Sequence, residues 1–416
     1  MKKLLIFAVF ALTAAVTYAG GYRVSLQGQK SLAMGHTGVA VVNSAELVFF
    51  NPAGMVYLEN KLNISAGVSG VFADVKFQNT EFGYSTETDS PVGTPFYLYA
   101  SYKANDWLAF GLGVYTPYGS SVEYPNDWEG SHLVNNIELA AIFVQPTVSV
   151  KIFDELSIGG GPIYVTGSVN FNRNLNRTLS DLDGNRTNVT VDASGVNAWG
   201  YTIGAMFKPT DKINIGFNYR SEIILDAEGG EADFENVPNS PLTPFADTTF
   251  DASLPLPAEL TVGFSYQFHS KWLFAFDFNR AFWDVYNSLD IDFADPNIPD
   301  SFNRRNYKNA SIYRFGLQFE ATSKFTLRAG YYFDESPVQD GFFAPETPRN
   351  DSNGYTAGLT FNLSDRFQID ASFLYLRFKE VDASYDFYFE DGVAVPFGGT
   401  YKSNSFIPGL GISYRM

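Results

Sequence analysis

Few residues of this chain are able to do covalent chemistry. There is no Cys, and the only His are His36, His132 and His269. Ser131 precedes His132 and Ser270 follows His269. A nucleophile needs a base within hydrogen-bond reach and a third group to orient that base. Neighbours on a strand point to opposite faces, so these adjacent pairs gain nothing from adjacency there, although in a loop that objection weakens. No GxSxG, HExxH or Cys-based motif occurs. An enzyme is therefore not expected, and neither is a cofactor. Carboxylates gather between Asp226 and Asp251, seven of them with no Lys or Arg. Their spacing is irregular, so they read as a solvated rim, and no metal site is expected. The net charge of -17 disfavours nucleic acid as a partner.

Something else must position the remaining polar and aromatic residues. Lys2 and Lys3 precede an uncharged apolar run from Leu4 to Val16, and Thr17-Tyr18-Ala19 follows. This is the pattern of a secretory signal peptide, residues 1–19. The run is shorter than the roughly 20 residues of a spanning helix. No later stretch is long and apolar enough to be one. Aromatics make up 17% of the chain, with 25 Tyr and 39 Phe, yet the mean hydropathy is only -0.09. Polar and apolar residues must alternate finely, as in strands with one wet and one greasy face.

From about residue 61 that alternation is explicit. Ile213, Ile215, Phe217 and Tyr219 share one face, opposite Asn214, Asn218 and Arg220. Tyr313, Phe315, Leu317 and Phe319 oppose Arg314 and Gln318, and Phe276 and Phe278 oppose Asp277. Short polar turns, such as Asn105-Asp106, Thr210-Asp211 and Ser364-Asp365, alternate with long polar loops near 75–93, 119–137, 173–195, 227–254, 292–307, 335–353 and 383–400. Six short and seven long connections require fourteen strands. An even count with this rhythm predicts an all-β, 14-stranded antiparallel transmembrane β-barrel over 61–416, closed because hydrocarbon leaves no sheet edge unpaired. Residues 20–60 break the rhythm. They are rich in Gly and small residues, with apolar stretches costly to leave in water, and they predict a small N-terminal hatch inside the lumen.

The segments AMGHTGVAVV at 33–42 and AELVFFNPAG at 45–54 resemble the hatch of the FadL/TodX family of outer-membrane hydrophobic-compound transporters. FGLGVYTPYG at 110–119, running into EYPNDWEG at 123–130, resembles that family's third strand and the loop after it. The resemblance implies uptake of long-chain fatty acids or aromatic hydrocarbons, captured at outer loops and released sideways through a kinked third strand. The substrate path then runs past Asn51, Pro52, Ala53 and Gly54 in the hatch. Gly111, Gly113 and Pro117 are the kink residues, since Gly permits unusual torsions and Pro lacks an amide donor. Leu175, Leu179 and Leu182, spaced for one face of a helix, would line a greasy outer groove with Phe234, Leu242 and Phe245. Expected partners are the hydrophobic small molecule and outer-membrane lipid with lipopolysaccharide, around a monomer. A polar-solute porin would keep the barrel but open the lumen, and an outer-membrane lipid-modifying enzyme would need a constellation absent here. The chain ends in Met416, with Tyr414 two residues before it, where many barrels end in an aromatic residue.

Overall fold

The structure, a computed structural model, describes residues 22–79, 83–240 and 243–416. The expected signal peptide lies outside them. Fourteen antiparallel strands form a closed wall. The first five are β1 (Leu62–Ser69), β2 (Phe96–Asn105), β3 (Leu108–Glu123), β4 (Asn136–Phe153) and β5 (Leu156–Asn174). Next come β6 (Asn188–Thr210), β7 (Ile213–Arg220, resuming as Ile223–Glu235) and β8 (Thr248–Leu256, resuming as Glu259–His269). The wall continues through β9 (Trp272–Ala281), β10 (Ala310–Glu320), β11 (Phe325–Asp334) and β12 (Ser352–Asn362). It ends with β13 (Phe367–Phe378) and β14 (Phe397–Arg415). Each strand pairs with its chain neighbours, and β1 pairs with β14 from Asn63↔Arg415 to Ser69↔Gly409. That last ladder removes the two edges an open sheet would expose.

The alternation sorts residues as lipid requires. Leu112, Ile158, Ile203, Ile215, Val262, Leu327 and Ile412 point outward and are exposed. Ser149, Thr202, Ser265, Asp277, Arg314 and Asp370 point inward and are buried. Two aromatic rows mark the margins of the greasy band. Near the short turns, Trp272 stacks on Phe319 at 4.3 Å, Phe325 on Phe361 at 5.0 Å, and Phe367 meets Tyr414 at 4.9 Å. Higher up, Tyr331, Tyr355, Tyr375 and Phe406 follow one register row across β11 to β14. On β12 the rows run from Phe361 to Tyr355, roughly 20 Å of strand. Amphipathic rings at both interfaces are the expected girdle.

Two expected loops are largely sheet. β5 reaches Asn174 and β6 begins at Asn188, while β7 continues to Glu235 and β8 begins at Thr248. Beyond the membrane the pattern inverts. Leu225, Ala227, Ala232 and Phe234 turn inward and are buried, while Asp226, Glu228, Glu231, Asp233 and Glu235 face out. A sheet in water hides its apolar face and wets the other, so the strands persist with carboxylates where lipid-facing residues had been. The helix implied by the leucine spacing in 173–195 does not form. Residues 175–187 make a hairpin held by Leu175 N to Thr187 O and Thr187 N to Leu179 O, both 3.0 Å. Asp181 sets its turn by accepting from the amides of Asp183 and Asn185, an Asx device that competes with helix.

Candidate functional site

Residues 22–60 lie within the ring, almost all buried. They form two one-turn helices, Gln29–Leu32 and Leu47–Phe50, and the 3-10 stretch Pro52–Tyr57. Buried backbone needs partners, and short helices leave most of theirs unmet. The inward polar side chains of the wall supply them. Asp277 of β9 accepts from the amides of Gly38 (2.8 Å) and Val39 (3.1 Å). Ser265 of β8 and Asn214 of β7 donate to Ala40 O. Gln145 of β4 donates to Val48 O, and Thr356 of β12 to Ala33 O. Lys30 Nζ reaches Gln368 of β13 at 2.6 Å. Inside the segment, the Glu46 carboxylate accepts from Lys30 N, Ser31 N and Ser31 Oγ. Burial pushes the Glu46 carboxyl up, against the pull of the Ser31 hydroxyl and the Lys30 charge.

Wall glycines let this segment approach. A Cβ on Gly216 would meet Val39 O at 2.1 Å, and one on Gly330 would meet Gly35 N at 2.1 Å.

Asn51, Pro52, Ala53 and Gly54 come together as a buried joint. Asn51 Oδ1 caps the 3-10 stretch at Ala53 N (3.2 Å), with Pro52 in the first turn, where a missing amide costs nothing. Asn51 Nδ2 ties Val39 O (2.9 Å) to Ala205 O of β6 (3.0 Å). Ala53 O accepts from Ser149 and Ser157, and Gly54 packs beneath Leu47.

Gly111 and Gly113 pair regularly with both neighbouring strands. A Cβ on Gly111 would meet Met55 at 2.6 Å, and one on Gly113 would meet Val48 at 3.0 Å, so both make room for the inner segment. The break in the wall lies just beyond them. β2 and β3 pair up to Tyr97↔Tyr115, and the register of β3 with β4 shifts between Tyr115 and Tyr118, a β-bulge at Thr116-Pro117. Past this point residues 22–24, rather than β2, lie along the edge of β3. Val24 N donates to Pro117 O (2.8 Å), Gly119 N to Tyr22 O (3.1 Å), and Arg23 bridges Tyr118. The Phe96 amide turns to the Thr116 hydroxyl at 3.1 Å. Asp89 N to Glu123 O, 2.9 Å, draws the seam together above.

Behind the seam is a cavity of about 120 Å³. Val24, Leu26, Val71, Val75, Val122, Leu374, Leu376 and Ile407 make its lining largely apolar, serines such as Ser120, Ser352 and Ser403 are interspersed, and Arg23, Asp334 and Arg349 are its charged members. A smaller polar cavity of about 30 Å³ adjoins it through Arg23, Val24 and Ser25, and it reaches Pro117, His36, Arg220, Glu259 and Arg314. Gln27 N donates to His36 Nε2 at 3.3 Å. Burial and the nearby Arg314, Arg23 and Arg220 hold the His36 ring well below its usual range, so it stays neutral.

The outer extension has its own apolar core, with Val189, Val191, Ala232, Phe250, Ile291 and Ile298. A cavity of about 60 Å³ beside it is lined by Phe171, Val191, Phe250 and Ile291, with the Arg305–Glu346 ion pair among its polar members. Leu175 and Phe245 pack on this core and Phe234 belongs to it, with the Phe234 and Phe245 rings 5.6 Å apart. Leu179 is half-buried, Leu182 stands out at the hairpin tip with 97% exposure, and Leu242 lies outside the described residues. His132 is lodged between Tyr388 (4.6 Å) and Phe397 (5.5 Å) under the outer loops, where burial pushes it down to about 4. His36, His132 and His269 sit in the lumen, under the outer loops and at a short turn, and no described group of three or more His, Asp or Glu could hold a metal.

Sequence reasoning placed Arg220, Asp277 and Arg314 on inward faces but assigned them no role. It had no signal for Tyr22–Leu26 at the seam, because pairing between segments far apart in sequence is not written in local pattern.

The family model described as outer membrane protein transport protein (OMPP1/FadL/TodX) matches residues 10–416. A solved FadL homologue from Pseudomonas aeruginosa superposes with TM-score 0.82 at 19% identity, over 95% of this chain and 100% of that one. The toluene transporter TodX of Pseudomonas putida gives TM-score 0.72 at 19% identity, over 96% and 99%. The long-chain fatty acid transport protein of Escherichia coli K12 is 21% identical over 89% of this chain and 91% of its own.

Proposed function

The chain belongs to the outer membrane protein transport family (OMPP1/FadL/TodX), outer-membrane transport channels rather than enzymes, and we propose that it admits hydrophobic small molecules, long-chain fatty acids or aromatic hydrocarbons, and releases them sideways into the bilayer. On this reading solute is captured among the outer loops that carry Leu175, Leu179, Leu182, Phe234, Leu242 and Phe245. It passes to the apolar cavity behind the seam and leaves where β3 parts from β2 at Thr116-Pro117. Residues 22–60 act as a hatch that closes the axial route.

The observation that carries the reading is that, just past the bulge, β3 from Ser120 to Val122 lines a largely apolar cavity whose other side includes Val71. The physical reason for a lateral exit is solvation. Each methylene moved into periplasmic water costs about 0.8 kcal/mol, and a wall exit avoids that water. The test is uptake of labelled oleate and labelled toluene by Gram-negative cells with and without this protein. Faster uptake of at least one is expected; uptake of neither above background refutes the reading.

A further inference from the structure

Above the membrane, between the loop 124–135 and the hairpin 175–187, lies a polar cleft of about 400 Å³, and eight of its lining residues are asparagines. The sheet sets them in register. Glu123 of β3 faces Asn136 of β4, Asn136 faces Asn172 of β5, and Asn172 faces Thr190 of β6. One row higher, Asn174 faces Asn188, which faces Glu235 of β7. Ile137, Phe171 and Val191 line the apolar cavity inside the outer extension, so the side chains beside them take the opposite, outer face of the sheet. Lower on β5 the Tyr164 ring meets the exposed Trp199 at 5.1 Å. Asn172 lies beyond Tyr164 by roughly 26 Å of strand, in the polar zone above the bilayer.

The asparagines hold one another in place. Asn135 Nδ2 donates to Asn172 Oδ1 (2.8 Å) and Asn174 Oδ1 (3.2 Å). Asn172 Nδ2 donates to Asn188 Oδ1 (3.0 Å) and Thr190 Oγ1 (2.8 Å), and Asn174 Nδ2 to Ser131 Oγ (2.9 Å). Three polar atoms of the lining residues are left over. Asn135 Oδ1, Asn136 Oδ1 and Arg186 Nε are buried without a hydrogen-bond partner, two acceptors and one donor. Such unmet groups are costly. The exposed carboxylates of Glu123, Asp127 and Glu235 add acceptors, and Arg186 is the single cation among the described lining residues. That balance repels an anion, and no described group of three or more His, Asp or Glu could hold a metal. What fits is a neutral ligand that donates and accepts at closely spaced points. Adjacent hydroxyls do this, since each offers one O–H donor and two lone pairs.

We propose that this cleft binds a saccharide, either the glycan of neighbouring lipopolysaccharide or a free neutral oligosaccharide. Its volume falls within the range of small-molecule pockets, about 300–1,000 Å³. Amides already fixed by their neighbours lose little rotamer freedom when a ligand arrives. Sugar hydroxyls donate to the asparagine and carboxylate oxygens and accept from Arg186. The cleft shares no lining residue with the cavity behind the seam, and the proposal does not depend on the transport reading.

Binding is measured on the full-length barrel in a polyoxyethylene ether detergent, whose headgroup carries no sugar to compete. The probes are the glycan freed from lipid A of smooth lipopolysaccharide of the source strain, and maltotetraose. Asn136→Leu removes one unmet acceptor, Asn136→Asp keeps it, and retained heat-modifiable migration shows that each variant still folds. At least one probe is expected to bind, at least about tenfold more weakly to Asn136→Leu and nearly unchanged to Asn136→Asp. Tighter binding of the lipopolysaccharide glycan makes the surrounding leaflet the source, and tighter binding of maltotetraose makes it a free oligosaccharide. Binding of neither probe at millimolar concentration, or binding that Asn136→Leu leaves unchanged, overturns the saccharide site.

Discussion

At the scale of single residues, the interior is organised by buried polar groups that each serve a backbone. Asp277 is the clearest case, since one carboxylate oxygen receives two amides of the inner segment. Asp277→Ala leaves both donors unmet, at about 1–3 kcal/mol for each. The expected result is an inner segment that proteases cut readily in a barrel that still resists them. His132 makes a different prediction. Its folded pKa of about 4 lies below the ordinary value of 6.5, so the fold favours the neutral ring and the unfolded chain binds the proton more readily. The sign follows directly. Stability is unaffected above about pH 6.5, falls as the pH drops from there toward 4, and levels off below, a loss of roughly 3 kcal/mol at most. His132→Phe keeps a ring between Tyr388 and Phe397 and should remove that acid-sensitive step, read as outer-loop proteolysis against pH. An unchanged profile in the variant would place the sensitivity elsewhere.

At the scale of elements, the decisive departure is one extra residue in β3. Three steps from Tyr115 to Tyr118 face two steps from Phe143 to Ala141. Such a bulge bends a strand and frees backbone groups from its neighbour, and here residues 22–24 take up part of the released edge. Deleting Thr116 should let β3 pair with β2 beyond Tyr97. The expected outcome is normal insertion with apolar uptake reduced at least about tenfold. Undiminished uptake would show that solute leaves by another path. Sequence placed the kink among Gly111, Gly113 and Pro117, and only Pro117 lies at the irregularity. Gly in a strand signals close approach as readily as a bend; at Gly111 and Gly113 what approaches is the inner segment. Nothing local to 110–119 distinguishes the two uses.

At the scale of the whole molecule, a ring of fourteen strands surrounds a segment bonded to strands on every side. Such an interior should conduct little. The intact protein in a planar bilayer should show small, infrequent ion currents, whereas removal of residues 22–60 should open a large, steady conductance through the lumen. Large currents from the intact chain would instead favour a polar-solute porin. A bulky residue at Gly330, opposite Gly35, should move the intact protein toward the truncated one, because a Cβ there collides with backbone.

The amino-acid sequence alone determined the number of strands, their membrane-facing sides and the alternation of short turns with long loops. These follow from a period of two and from turn chemistry, both of which act between near neighbours. It also set residues 20–60 apart, since they lack the strand-and-turn rhythm of the rest. Only the tertiary structure decided where the sheet continues above the membrane, since there acids replace lipid-facing residues and the apolar face turns inward. Only the tertiary structure decided that Leu175, Leu179 and Leu182 ride on a hairpin, that Asn51 is a structural joint, and that Tyr22–Val24 lies along β3. It alone brought Arg23, Arg220 and Arg314 around one cavity, though they are far apart in sequence. The reason is closure. When a sheet rolls into a ring, inward side chains from distant strands meet across the lumen, and the strand pattern specifies which residues turn inward but not which of them converge.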